Sequence, residues 1–407
     1  MSKHQHVFNK HGKFVPTHQY SDMPQMRHET VIITSTSAPA WGGYFIFDIR
    51  EKNVRIHDLC LQFNASALTG YTVATGAPTF LQRYTPAVFW FTRIEIVQNN
   101  NVIDTIYPNQ QFLMQQLFNS DERRALINGA QGSYSSIPQR VTLASSASSY
   151  YVDLSTFFSQ THQALYHSKD DIQIRVYMDT LANNAAAPSG GTFTLSASTP
   201  VSTINSANII VKLSRESAEY SAANQNLIKS RPHHFPFTEL RFGTFIVNSG
   251  TASSSIVLTP ITGNVSLLLF TVRLVSGLSG ESEYNYLPIT NFAILDSTST
   301  NIVGGQALPS ALNLLIMANN WFKSSYTNES SAGYGTNNNA NVYSFSFGAD
   351  PISTIDSSVF LNSAKFTGNE QLQIQFTGTL AANVQVDVYA LVESYVEITH
   401  NSVRKIQ

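Results

Sequence analysis

The chain has 407 residues, a formal net charge of −2, 43% hydrophobic residues and only 12% charged ones. Average soluble domains carry roughly 25% charge, so this balance excludes intrinsic disorder. It points instead to a folded subunit whose surface is buried against neighbours, because ions cost more to desolvate than amides and hydroxyls. The near-neutral total argues against a protein that coats nucleic acid by itself, and a single cysteine, Cys60, excludes an internal disulfide framework.

Residues 1–28 hold five of the eleven histidines with Lys3, Lys10, Lys13 and Arg27, and no periodicity runs through them. They read as an extended basic N-terminal arm. His4, His6 and His11 offer a soft-metal set only if the arm is ordered first, at an entropic cost. The arm's lysines suit contact with a neighbouring subunit or with anionic lipid. It has no apolar core of the kind a secretory signal needs. The most apolar run, "VSLLLFTVRLV" (265–275), is far short of the ~20 residues that span a bilayer. The expectation is a soluble chain.

From residue 29 onward, short strands alternate with Gly, Pro, Asn and Ser turns. The candidates in the first half are 30–37, 43–50, 53–64, 88–98, 102–107, 141–157, 172–178 and 209–213. Period two is cleanest where Ile172, Ile174, Val176 and Met178 enclose Gln173, Arg175 and Tyr177. "NQQFLMQQLF" (109–118) has the i,i+4 pairs Leu113/Leu117 and Met114/Phe118 of a helix, and 120–124 starts a second one. Residues 216–230 read as a connector and "RPHHFP" (231–236) as the domain boundary. The second half offers strands at 237–248, 253–259, 264–275, 289–296, 300–303, 341–347, 370–376 and 384–392, with a helix at 311–322. Three long polar stretches, 65–82, 180–207 and 323–340, interrupt the pattern and are expected to project from the ends of the strands.

The halves repeat. "DDIQIRV" (170–176) matches "EQLQIQF" (370–376) at an offset of 200, and "TRIEIVQNNNVID" (92–104) matches "TNFAILDSTSTNIV" (290–303) at nearly the same spacing. "YYVDLSTFF" (150–158) and "NVYSFSFGA" (341–349) pair in the same order. Two copies of one sandwich in tandem, each of about eight strands, is the all-β architecture of a double jelly roll. The expected division is arm 1–28, first jelly roll plus connector 29–230, second jelly roll 231–398 and C-terminal tail 399–407.

Candidate chemistry is thin. His162 and His167 stand beside Asp170 and Asp171, but the histidines are five apart and lack a third ligand at a recognisable spacing. The second copy keeps acidic Glu370 and loses both histidines, so the cluster reads as a connector at the edge of a sandwich. Glu281 and Glu283 imitate a glycosidase pair in a turn-rich segment. Trp41, Trp90 and Trp321 read as core, and the sequons at Asn64, Asn264 and Asn328 carry little weight. No nucleophile, metal or phosphate motif occurs. The expectation is therefore no enzyme, with no catalytic, cofactor-binding or metal site.

The order of these stretches resembles the double jelly-roll major capsid proteins, the lineage of adenovirus hexon, tailless internal-membrane phages, virophages and nucleocytoplasmic large DNA viruses. "FTRIEIVQNNNVIDTIY" (91–107) resembles their hairpin before the first-sandwich helix. "VDLSTFFSQTHQALYHSKDDIQIRV" (152–176) is similar to the strand, turn and strand that follow. "NVYSFSFGADPISTIDSSVFLNSAKF" (341–366) and "VYALVESYVEITHNSV" (388–403) resemble the closing stretches of the second sandwich. Unlike the large DNA virus proteins, 152–168 lacks proline and the chain is shorter, which moves it towards the smaller members.

The resemblance implies a structural subunit of the virion, assembled inside the host cell. Homotrimers of near-hexagonal outline would tile an icosahedral shell, with neighbouring capsomers, minor capsid and penton proteins as partners. The arm and the tail would reach sideways or inward, the arm to a neighbouring subunit or, as the alternative, to an internal membrane, and no sequence-specific nucleic acid contact is expected. The alternatives are a minor capsid or vertex protein, or a glycan-binding or glycan-cleaving jelly-roll protein.

Overall fold

The computed structural model describes residues 27–51, 54–69, 83–119, 121–133, 142–156, 171–186, 201–215, 233–275, 286–303, 307–313, 341–347 and 363–398. It also describes the short segments 6–8, 14–16, 165–167 and 403–406, and positions 158, 217, 222 and 226.

Eight principal strands build the first half: β1 (Arg27–Thr34), β2 (Tyr44–Ile49), β3 (Val54–Ala65), β4 (Phe91–Gln98), β5 (Asn101–Ile106), β6 (Ser148–Leu154), β7 (Ile172–Met178) and β8 (Ile204–Arg215). They form two antiparallel sheets, ordered β1–β8–β3–β6 and β2–β7–β4–β5. The second half supplies β9 (His233–Val247), β10 (Ser253–Val257), β11 (Thr262–Leu274), β12 (Ile289–Leu295), β13 (Leu308–Pro309), β14 (Val342–Ser346), β15 (Gln371–Phe376) and β16 (Val384–Ile398). Their orders are β9–β16–β11–β14 and β10–β15–β12–β13. Adding eight to each strand number of the first half reproduces the second. Two packed sheets with this crossing order are a jelly roll, and the chain contains it twice.

The repeats found in the sequence fall on equivalent strands: 170–176 and 370–376 on β7 and β15, 92–98 and 290–295 on β4 and β12, 150–154 and 342–346 on β6 and β14. Period two does the sorting. In β7 every second residue from Ile172 to Met178 is buried, beside Phe45 and Phe47 of the neighbouring strand and in one core with Phe63 and Trp90. The second core is built in the same way around Phe270, Phe292, Val386 and Val388.

Turn chemistry fixes the registers. Asn99 and Asn100, both at positive φ (49° and 59°), make the two-residue link between Gln98 and Asn101, a primed turn that suits asparagine. In the second copy the corresponding tip is longer. Asp296 closes it by accepting from the backbone of Thr298 and Thr300 (2.8 Å each), bonds that hold its carboxyl below the usual range, with the Thr298 hydroxyl the largest contributor. The strand expected at 300–303 is reduced to one bridge, Leu295 to Asn301, and the edge is taken up by β13 instead.

The remaining differences lie at the ends. Within the arm, His6–Phe8 pairs with Phe14–Pro16 as a hairpin, and Arg27 and His28 already belong to β1. His233–Pro236 are the first residues of β9, paired with Tyr395–Ile398; Pro236 is tolerated there because β9 is an edge strand. Val403–Ile406 folds back on Tyr395–Ile398, so this part of the tail is a strand of the same sheet. In the polar stretch 180–207, Leu181–Asn184 form a helical turn capped by Thr180, and Ala185–Ala186 pair with Arg83–Tyr84.

Candidate functional site

What the fold builds with most care is the seam between its two sandwiches. Its first component is α1 (Pro108–Phe118), which follows β5 with proline in its first turn, where no amide hydrogen is needed. Leu113 and Met114 on α1 are buried against Leu267 and Leu269 of β11, Val342 of β14, and Tyr389 and Leu391 of β16. This explains why β11 reads as a continuous apolar run rather than an alternating one. Leu268, Phe270 and Val272 fill its own core, while Leu267 and Leu269 face the other sandwich. A strand covered on both faces needs apolar residues at every position. Tyr389 stacks on Phe242 at 5.0 Å, and Tyr107 at the helix entrance reaches the same ring at 5.4 Å. Each fully buried large side chain contributes about 1.5–3 kcal/mol relative to exposure, enough in sum to hold the sandwiches in one arrangement.

A polar pin lies beside this apolar patch on the same sheet face. Arg273 Nε donates to Asp387 Oδ2 at 2.7 Å, and Thr244 Oγ1 and Gln385 Nε2 donate to Asp387 Oδ1 at 3.0 and 2.7 Å. Asp387 is 1% exposed and Arg273 9%. A buried pair whose carboxylate accepts two further hydrogen bonds fixes geometry more than it adds stability. Burial, helped by the neighbouring Asp387 charge, pushes the Tyr389 phenol well above its ordinary range.

Both helical segments are moored in the same way. Gln111 of α1 accepts from the Ser155 backbone amide (2.9 Å) and donates to the Asp153 carbonyl, at the end of β6. In the second sandwich a helical segment begins at Ser310, and Asn313 accepts from the Ser344 amide (3.1 Å) and donates to the Ser344 carbonyl, on β14. A side-chain amide offers one donor and one acceptor, which matches the unpaired backbone groups of a sheet edge. These moorings were not foreseen. The only signal in the sequence is an amide at corresponding places of the two copies.

Among the described residues, those singled out as possible chemistry are not assembled into a site. His167 lies in Leu165–His167, which pairs with Val54–Ile56, while Asp171 is exposed at the entrance to β7. His162 and Asp170 lie outside the described residues, as do Glu281, Glu283, His4, His11, Lys3, Lys10, Lys13, Trp321 and Asn328. His6 sits in the arm's hairpin, and Arg27 pairs with Glu29 at 3.0 Å. Glu370, at the place of Asp170 in the second copy, is 2% exposed. It accepts from the backbone amides of Thr367 and Gly368 (2.9 Å each), a turn that Gly368 makes at φ +88°. Its work there is to close a turn.

Trp90 is fully buried and donates to the Thr85 carbonyl at 2.8 Å, with Trp41 packed on it at 5.1 Å. Asn64 is tied to Ser206 and Ser149 (2.6 Å each), and Asn264 to Glu393 (2.8 Å). The Cys60 thiol is pushed up to about 12 by burial and by Asp153, which removes it as a nucleophile. One Ser–His contact was missed by sequence reasoning: His57 Nε2 lies 2.9 Å from Ser214 Oγ. Ser214 is fully buried, so its hydroxyl is closed to a substrate. Among the described residues no group of three His, Cys, Asp or Glu is placed to hold a metal. A groove of about 440 Å³ on the outward face of β10–β15–β12 is lined by Ser253, Ser255, Asn291, Gln373 and Gln375 with small apolar neighbours. It holds neither a carboxylate nor an aromatic ring.

No protein-family model and no curated protein sequence matches this chain. Solved structures do. PBCV-1 VP54, fitted into a cryo-EM reconstruction of the virophage Sputnik, superposes with a TM-score of 0.70 at 14% identity, covering 96% of this chain and 99% of its own. The Faustovirus major capsid protein gives 0.71 at 9% identity, covering 95% and 92%. The mavirus major capsid protein gives 0.54 at 11% identity, covering 98% and 93%. With the strand order found twice over and matched across nearly its whole length, the chain has the double jelly-roll fold of viral major capsid proteins.

Proposed function

We propose that this chain is the major capsid protein of an icosahedral virion, a non-enzymatic subunit that self-associates into homotrimers of near-hexagonal outline. The observation that carries the reading is the duplication itself: one strand order, twice, with the two copies packed together through α1. A threefold ring of such chains presents six similar units and tiles a hexagonal lattice with one gene product. The low charge content supports it, because large and mostly uncharged interfaces are cheap to desolvate.

The division into jelly rolls at 29–230 and 231–398, flanked by arm and tail, belongs to the same proposal. So do contacts with neighbouring capsomers, with minor capsid and penton proteins, and of the arm with an internal membrane. The role requires no catalytic, cofactor or metal site. Sedimentation of the purified chain at micromolar concentration tests the reading. A trimer of about 135 kDa, three times the 44.9 kDa chain, is the expected species, and a strictly monomeric protein would refute it.

A further inference from the structure

The seam inside the chain has an open counterpart. The face of β9–β16–β11–β14 that α1 covers corresponds, strand for strand, to the outward face of β1–β8–β3–β6. The two sheets align on their core-facing residues and on an irregularity that both share. In the first it falls between Lys212 and Leu213 in the pairing of β8 with β3, and in the second between Val265 and Leu267 in the pairing of β11 with β16. In that alignment the cross-strand row Phe242–Tyr389–Leu269, with Tyr389 and Leu269 buried and Phe242 partly so, falls on the row Ile32–Ile210–Cys60. Ile32 is 63% exposed, and Ile210 and Cys60 are half-buried. An apolar row crossing a polar sheet face, flanked by the exposed Lys212–Asp58 ion pair at 3.2 Å, has the anatomy of an interface: apolar centre, polar rim.

The other half of such a contact is also present. The segment starting at Ser310 occupies the place in the second sandwich that α1 occupies in the first, and its Asn313 is moored to β14 as Gln111 is moored at the end of β6. Leu312 in that segment is 45% exposed. In the sequence, Leu315 and Ile316 follow Asn313 at the two- and three-residue spacing at which Leu113 and Met114 follow Gln111.

We infer that a second copy of this chain docks on the Ile32–Ile210–Cys60 face through the helical segment that begins at Ser310, as α1 docks on the second sandwich within the chain. The inference rests on the proposed trimer. A closed ring of six similar units has six similar seams, three within chains and three between them.

The experiment is sedimentation of full-length variants at micromolar concentration, with thermal unfolding of each as a check of the fold. Ile32→Lys combined with Ile210→Lys on one side, and Leu312→Lys on the other, should each raise the trimer dissociation constant at least tenfold without changing the melting of the monomer. Val257→Lys on β10, 44% exposed on the other sheet, should leave the trimer intact. A wild-type trimer that survives both sets of substitutions overturns this inference and leaves the proposed function standing. A wild-type monomer overturns both.

Discussion

Two faces of equivalent sheets have been put to different use. On β9–β16–β11–β14 the outward face is buried by α1 and carries Leu267, Leu269, Tyr389 and Leu391 beside the enclosed Arg273–Asp387 pair. On β1–β8–β3–β6 the same places hold Asp58, Cys60, Ile210 and Lys212, and the ion pairs are in solvent. Identical topology therefore does not dictate what a face is for; side-chain size and charge do. A seam formed once, within a folding chain, can use large apolar groups and a desolvated ion pair. A face that meets water until assembly must keep its apolar content small and its charges hydrated.

The sharpest way to break this comparison is to truncate equivalent residues on both faces. Asp387→Ala strands the Arg273 guanidinium in a buried place and should cost about 3–5 kcal/mol. Asn208→Ala, its positional equivalent on the open face, should stay within about 0.5 kcal/mol. Urea unfolding midpoints of the two variants decide it, and equal losses would mean that the second face is no more buried than the first. Next in size is Leu269→Ala, expected to lose about 2–5 kcal/mol through the cavity it leaves under α1. Cys60→Ala should lose far less in the same titration.

The smallest effect concerns the rim. Arg215 joins Glu29 (2.8 Å) and Glu51 (2.6 Å) at the end of β8, and its hydrogen bond holds the Glu29 carboxyl below the ordinary 4.5. A depressed carboxylate contributes stability above its unfolded pKa and loses it as pH falls through the folded one. The gap between wild type and Arg215→Gln should therefore be small at pH 7 and close below the ordinary 4.5. Paired thermal melts across that range check it, and a gap that widened in acid would contradict the assignment.

The strands were legible because burial of one face imposes period two, which Ile172 to Met178 and Leu372 to Phe376 display openly, and because the duplication repeats at an offset near 200. The seam was less so. Leu113 and Met114 look like the apolar stripe of any short helix, and the run at 265–275 reads as a hydrophobic strand without saying that two different sandwiches cover it. The moorings at Gln111 and Asn313 were hidden for a related reason: an amide that satisfies a sheet edge looks like any surface amide until its partner strand is known. The opposite error threatened at His162, His167, Asp170 and Asp171, where titratable groups cluster in sequence. At the equivalent place Glu370 serves a turn, which shows how a carboxylate can be demanded by backbone geometry alone.

The most direct measurement is imaging. Class averages of the purified full-length chain, viewed down the particle axis by electron microscopy, should show a compact ring of near-hexagonal outline built from three chains and six similar lobes. Particles with two lobes and no threefold symmetry, at concentrations where the chain is folded, would contradict the proposal that this duplicated sandwich is a shell-forming trimer.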